Sequence, residues 1–206
     1  MGVTRIAHPI ETESYRRLRE LVDLSGLPPL SRAVTERVIH ASADLDYAED
    51  LVLAEPALEA GAAALAAGRP IVVDAQMVAA GITGAETLCA LGDPAVSEGA
   101  ANGLTRSAAA MRLAARAVGP GALYVIGCAP TALFELLDLC AGVVGGIDPQ
   151  PSLIIGLPVG FVGAAESKHA LRETGIAAVS NRSRKGGSAA AAAALNALLY
   201  AEEAGR

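Results

Sequence analysis

Two groups of residues in this 206-residue sequence are equipped for chemistry: a histidine on a patterned segment, and arginines beside a Gly-Gly-Ser step. His40 sits in Thr35-Glu36-Arg37-Val38-Ile39-His40-Ala41-Ser42, which is apolar along one side. Imidazole titrates near pH 6.5 in general, so a histidine can hold or donate a proton under physiological conditions. Glu36 lies one helical turn earlier and could orient the ring. A core-edge histidine bonded to Glu36 or to a backbone carbonyl explains the same pattern, and on the residues alone this plainer reading outweighs catalysis. The second group is Arg182, Arg184 and Lys185, followed by Gly186-Gly187-Ser188. Glycine lets the backbone approach a ligand, and a helix start favours anions, so a carboxylate or phosphate site fits. A solvated basic turn fits equally well.

Several chemistries are excluded. His8, His40 and His169 have no HExxH-like spacing, and Cys89, Cys128 and Cys140 are scattered, with no CxxC pair. Neither a metal site nor a disulfide framework is expected. No P-loop, GxGxxG fingerprint or GxSxG elbow occurs. Aromatic residues are only 3%, Trp is absent and the net charge is −6; these argue against a nucleic-acid partner. No run of about 18 apolar residues is free of Gly, Pro or charge, and no basic-then-apolar leader is visible. The expectation is a cytoplasmic protein with no membrane partner.

The elements that must position these groups read as one domain over 1–206. Hydrophobic residues are 52% and charged ones 18%, a globular composition. Apolar positions at helical spacing predict a helix from Glu13 to Leu24, ended by Gly26 and the Pro28–Pro29 pair. Ser31 is the expected cap of a second helix running through His40. A third spans Ala48 to Ala67, broken near Glu55. The period then changes. Short apolar runs at Ile71–Asp74, Leu123–Ile126, Leu153–Ile155 and Ile176–Val179 predict buried strands. Helical stretches lie between them at Ser107–Val118, Thr131–Ala141 and Ala164–Arg172, and an Ala-rich helix runs from Ser188 to about Glu203. The prediction is an α/β fold: a mostly parallel central sheet with helices on both faces and a helical N-terminal segment. Ligands of such sheets bind beyond the strands' carboxyl ends. Four loops there stand out: Asp74–Met77, Gly127–Thr131, Gly156–Gly163 and Asn181–Ser188. Met77, Cys128 and Phe161 read by themselves as packing residues.

Six ordered segments carry a family resemblance: RVIHASAD, VDAQMVAAGI, LTRSAAA, GCAPTAL, GLPVGFVGAAESK and NRSRKGGSAAAAAALNAL. Together they resemble the precorrin-8X methylmutases of cobalamin biosynthesis, over about Glu13 to Leu199. Cys128 stands where the family usually has Asn, and Ser183 where Gly is common. The resemblance implies migration of a methyl group from C-11 to C-12 of precorrin-8X, giving hydrogenobyrinic acid without a separate cofactor. A cobalt-precorrin-8 methylmutase or a non-catalytic corrinoid-binding protein are the alternatives. It also implies a homodimer, a polycarboxylate corrinoid as substrate and product, and hand-over to the next enzyme of the pathway. The family histidine falls on His40, which reverses the reading from residues alone and makes it the catalytic candidate. Candidates for substrate contact are Ser14, Arg19, Asp74, Met77, Thr105, Arg106, Ser107, Arg182, Arg184 and Ser188. Arg16, Arg17 and Arg112 read as solvated helix-face charges.

Overall fold

The computed structural model describes residues 8–101, 103–144 and 146–204; both ends of the 1–206 span lie outside the described residues. Prolines start the first two helices. In α1 (Pro9–Leu21) Pro9 occupies the first turn, where a missing N–H leaves nothing unsatisfied, and His8 Nδ1 accepts from the Ile10 amide at 3.2 Å. The helix therefore begins before Glu13 and stops before Leu24. α2 (Pro29–Ser42) starts on Pro29, and Ser31 is not its cap. Ser31 lies buried inside the first turn. The cap comes from Glu55, whose carboxylate accepts from the Leu30 and Ser31 amides, each at 2.8 Å, and from the Ser31 hydroxyl at 2.6 Å. A carboxylate on the first-turn amides also complements the helix dipole.

The helix expected over Ala48–Ala67 is two helices with a strand between them: α3 (Tyr47–Asp50), β1 (Leu51–Val52) and α4 (Glu55–Ala66). Pro56 sits in the first turn of α4 and so initiates that helix. The strands β2 (Ile71–Val73), β3 (Leu123–Ile126), β4 (Leu153–Gly156) and β5 (Ala178–Asn181) are parallel, and β1 adds antiparallel to β5. The spatial order is β1-β5-β4-β3-β2. β5 starts later than Ile176 because the Ile176 amide closes a turn onto Thr174 Oγ1 at 3.2 Å. Leu88 bridges to Val72 along the outer edge of β2 and takes up its exposed backbone groups. The remaining helices are α5 (Gln76–Gly81), α6 (Ala95–Ala101), α7 (Arg106–Val118), α8 (Pro130–Cys140), α9 (Ala164–Glu173) and α10 (Ser188–Ala204), with a 3-10 turn at Ala90–Gly92. α5, α6 and that turn have no counterpart in the sequence reading.

Both faces of the sheet are covered, as the apolar runs require. Leu123, Val125, Leu153, Ile155 and Val179 face a core shared with α2, α4, α5 and α10. Val72, Tyr124, Ile126 and Ile154 face the other core, with α7, α8 and α9. α10 lies against β3 and β4, α2 packs on α10, and α1 packs on α2. Small side chains make this possible: Ala190–Ala194 and Ala197 are all buried in α10. His40 is thus carried on an outer helical layer above the sheet.

Candidate functional site

The carboxyl ends of the parallel strands form one interlocked rim. Asp74, just after β2, is 3% exposed. Its Oδ1 accepts from the Gly127 amide at 3.0 Å, and its Oδ2 from the Cys128 and Ala129 amides at 2.8 and 2.7 Å. Burial pushes its carboxyl above the usual carboxylate range, against the pull of these donors. Both oxygens are used on the loop after β3, so Asp74, a candidate substrate contact by sequence, braces that loop. The loop in turn meets its neighbours. A Cβ on Gly127 would lie 3.0 Å from the Ser188 Cα, and one on Gly163 would lie 3.3 Å from Pro130. Thr105 caps α7, accepting from the Ala108 amide at 3.2 Å, and donates to Thr131 Oγ1 at 2.8 Å. The loop after β4 is joined to the loop after β5 by Gly187 N–H to Leu157 O at 2.9 Å and Gly160 N–H to Arg184 O at 3.3 Å. A Cβ on Gly186 would run into the Leu157 carbonyl, so only glycine allows this approach.

The predicted contact residues divide along this rim. Arg184 is exposed and its guanidinium makes no hydrogen bond or ion pair among the described residues. Arg106 is exposed, and among the described residues its guanidinium makes a 3.5 Å contact to the Leu91 carbonyl. Arg182 is committed in part, donating to the Glu49 carbonyl at 2.8 Å. Lys185 is tied to Asp44 at 2.7 Å and Asp46 at 2.5 Å, so the basic cluster is smaller than its sequence suggests. Ser107 and Ser188 stand half-buried at the starts of α7 and α10, and Met77 is 63% exposed on the first turn of α5. Val159, Phe161 and Val162 are also exposed on the loop after β4.

His40 forms the second cluster. Its Nδ1 lies 2.9 Å from Ser14 Oγ, and its ring stacks on Tyr15 with centroids 4.7 Å apart and planes 13° from parallel. Nε2 makes no hydrogen bond among the described residues, so it is the nitrogen left for a ligand. When Ser14 donates to Nδ1, Nε2 carries the proton and is a donor. Glu36 does not orient His40. It is taken by Arg19, whose Nε and Nη2 reach its two oxygens at 2.8 Å each. The Arg19 guanidinium also lies 5.8 Å from the Tyr15 ring centroid. This pair borders a cavity of about 370 Å³ lined also by Leu24, Ser25 and Arg32. Arg112, read as a solvated charge, instead pairs at 2.5 Å with buried Glu135.

The two clusters are joined through the chain that leaves α2. His40 is followed within ten residues by Asp44, Asp46 and Asp50, and all three bond to the loop after β5. Sequence reasoning missed Tyr15, Lys168 and Asn181. Lys168 had a visible signal, because it shares the buried stripe of α9 with Ala164 and Leu171. Tyr15 had none, since its partner is 25 residues away.

Among the described residues no helix is long and apolar enough to cross a membrane. The family model described as precorrin-8X methylmutase matches residues 9–201. A precorrin-8X methylmutase of Pseudomonas aeruginosa is 43% identical, with 97% of this chain and 98% of that protein covered. A cobalt-precorrin-8 methylmutase of Methanocaldococcus jannaschii is 42% identical, covering 81% of this chain and 77% of that one. The crystal structure of precorrin-8X methylmutase from Thermus thermophilus superposes with a TM-score of 0.82 at 36% identity, covering 95% of this chain and 96% of that chain. With six ordered motifs, the sheet topology and these matches in agreement, the chain belongs to the precorrin-8X methylmutase family.

Proposed function

We propose that the chain is an isomerase of cobalamin biosynthesis that moves the methyl group from C-11 to C-12 of precorrin-8X, with His40 as hydrogen-bond donor to the ring C nitrogen. The observation that carries this is the setting of the imidazole: Ser14 holds Nδ1 at 2.9 Å and Tyr15 holds the ring plane, which leaves Nε2 as a directed donor. Hydrogen bonding at the ring C nitrogen draws electron density from the conjugated system and helps the receiving carbon accept the methyl group. The shift is intramolecular, so no proton is consumed, and the remaining work is to hold one conformation of the macrocycle. Arg184 and Arg106 supply local positive charge for substrate carboxylates although the chain carries −6 overall.

The test compares wild type with His40→Asn. Turnover is expected to fall by about 10²–10³-fold, in the range of a lost general acid, while affinity for the product stays within about threefold. Unchanged turnover removes His40 from the mechanism. A carrier would bind precorrin-8X without the absorption change of isomerisation. Relatives named for the cobalt-free and the cobalt-containing substrate match at nearly equal identity, so turnover of both compounds by the purified protein decides between them. The exposed apolar residues of the rim and the open face at His40 support a homodimer in which a second copy closes over the pigment, and light scattering of the purified protein reads this directly. A cytoplasmic location and hand-over of product to the next pathway enzyme complete this reading.

A further inference from the structure

Lys168 is fully buried, a rare state for a lysine and one that calls for partners. Its Nζ donates to Asn181 Oδ1 at 2.7 Å and to the Lys185 carbonyl at 2.6 Å. Asn181 passes the interaction on, because its amide donates to Asp50 Oδ2 at 2.6 Å and to the same Lys185 carbonyl at 3.1 Å. Asp50 also accepts from the Arg182 amide at 3.0 Å, the Ser183 amide at 2.8 Å and the Ser183 hydroxyl at 2.6 Å. A buried ammonium, an amide and a carboxylate thus form one relay beneath residues 181–185. The relay turns a carbonyl of that loop inward, while the Arg184 side chain remains exposed outside. A loop meant for anions gains from this, since an outward carbonyl oxygen would repel a carboxylate.

We propose that Lys168 is a positioning residue for anion recognition: by drawing in Asn181 and the Lys185 carbonyl it fixes the loop that presents Arg184 to a substrate carboxylate. This rests on the reading that the loop meets the corrinoid. Burial pushes the Lys168 ammonium down to about 8, with Asp50 pulling it up and Arg172 pushing it further down, as expected of an ammonium shut off from water.

The experiment titrates hydrogenobyrinic acid by absorbance into wild type, Lys168→Met, Arg184→Ala and the double variant, and measures kcat and KM for each. Arg184→Ala is expected to weaken binding about tenfold, the scale of one charge-assisted hydrogen bond. Lys168→Met should weaken it similarly and leave kcat within about threefold, because His40 and its partners are untouched. The double variant should be no weaker than about either single variant, since both act through one loop. Asn181→Ala removes the middle of the relay and should reproduce Lys168→Met, which covers a Lys168→Met chain that fails to fold. If Arg184→Ala leaves affinity unchanged, the loop does not meet the corrinoid and the underlying reading falls. If Arg184→Ala weakens binding while Lys168→Met and Asn181→Ala do not, only the role given to Lys168 is overturned. Fully multiplicative effects in the double variant overturn it as well.

Discussion

Replacing Asp74 separates a brace from a substrate contact. Its carboxylate accepts three backbone amides from the loop after β3 while almost wholly buried. A hydrogen bond to a charged group contributes about 1.5–3 kcal/mol, and each orphaned buried donor costs about 1–3 kcal/mol. The three terms are not additive, because removing the carboxylate also removes its own desolvation penalty. A net loss of about 3–5 kcal/mol is therefore expected for Asp74→Ala, the scale of breaking a buried charged network. Asp74→Asn is milder. Its one oxygen can take the Oδ2 position, which serves the Cys128 and Ala129 amides, while its NH2 faces the Gly127 amide. One bond is lost, so about 1.5–3 kcal/mol is expected. Urea unfolding followed by circular dichroism reads both values from the shift in midpoint at constant slope. Affinity for hydrogenobyrinic acid, measured on the folded fraction, should drop less for Asn than for Ala. The reasoning is refuted if Asp74→Ala unfolds within about 0.5 kcal/mol of wild type and yet loses product binding, because the carboxylate would then be a substrate contact.

Three further outcomes follow from the same geometry. Ser14→Ala should lower kcat about tenfold with KM nearly unchanged, since His40 loses the partner that sets its tautomer and orientation; an unchanged kcat would show that Ser14 does not orient the ring. Acid should destabilise the fold through Asp50 and Glu55. Burial opposes ionisation of both, but hydrogen bonds from Asn181, Ser183 and Arg182 to Asp50, and from Ser31 and Leu30 to Glu55, hold their carboxyls below the usual range. Their stabilisation is present above the unfolded-state values near pH 4 and is lost as pH falls through the lower folded-state values. Asp50→Asn should therefore narrow the difference between urea midpoints at pH 7 and pH 3, and an unaltered difference would contradict it. Arg19→Ala leaves the buried Glu36 carboxylate unpaired. Because the Arg19 side chain is 61% exposed and solvent screens the pair, the expected loss is about 1–2 kcal/mol; Arg19→Lys should recover only part of it, lacking the two-pronged geometry.

The strands β2, β3 and β4 were legible because a strand buried on both faces needs a short unbroken apolar run, and each of them has one. β1 was not, since two residues become a strand only when β5 lies beside them. Ser31 misled as a cap because its type is right; what decides the cap is a carboxylate that the fold brings from Glu55. The same limit applies to charge. Arg112 reads as solvated in sequence and Lys185 as either solvated or anion-binding, yet each is tied to acids from distant segments. For the candidate site, the motifs pointed to His40, Ser14 and the arginine loop, but not to Tyr15, Lys168 or Asn181. Tyr15 and Lys168 make contacts that exist only after α1 has packed on α2 and α9 on β5.

The alanines of α10 bear on how well the rim is held. A buried leucine forfeits about 0.5–1 kcal/mol of rotamer entropy and alanine none, so six leucines in place of the buried alanines would add about 3–6 kcal/mol of ordering penalty. The first buried turns of α10, Ala190–Ala194, therefore have no side-chain rotamers to sample, unlike the later turns with buried Leu195 and Leu198. The start of α10, with Ser188 and the Gly186-Gly187 approach beside it, is therefore backed on the helix's own side by methyl groups fixed to the backbone. Thermal disorder at this end of the rim should resemble that of the sheet, and the exposed arginine side chains should be its principal adjustable parts.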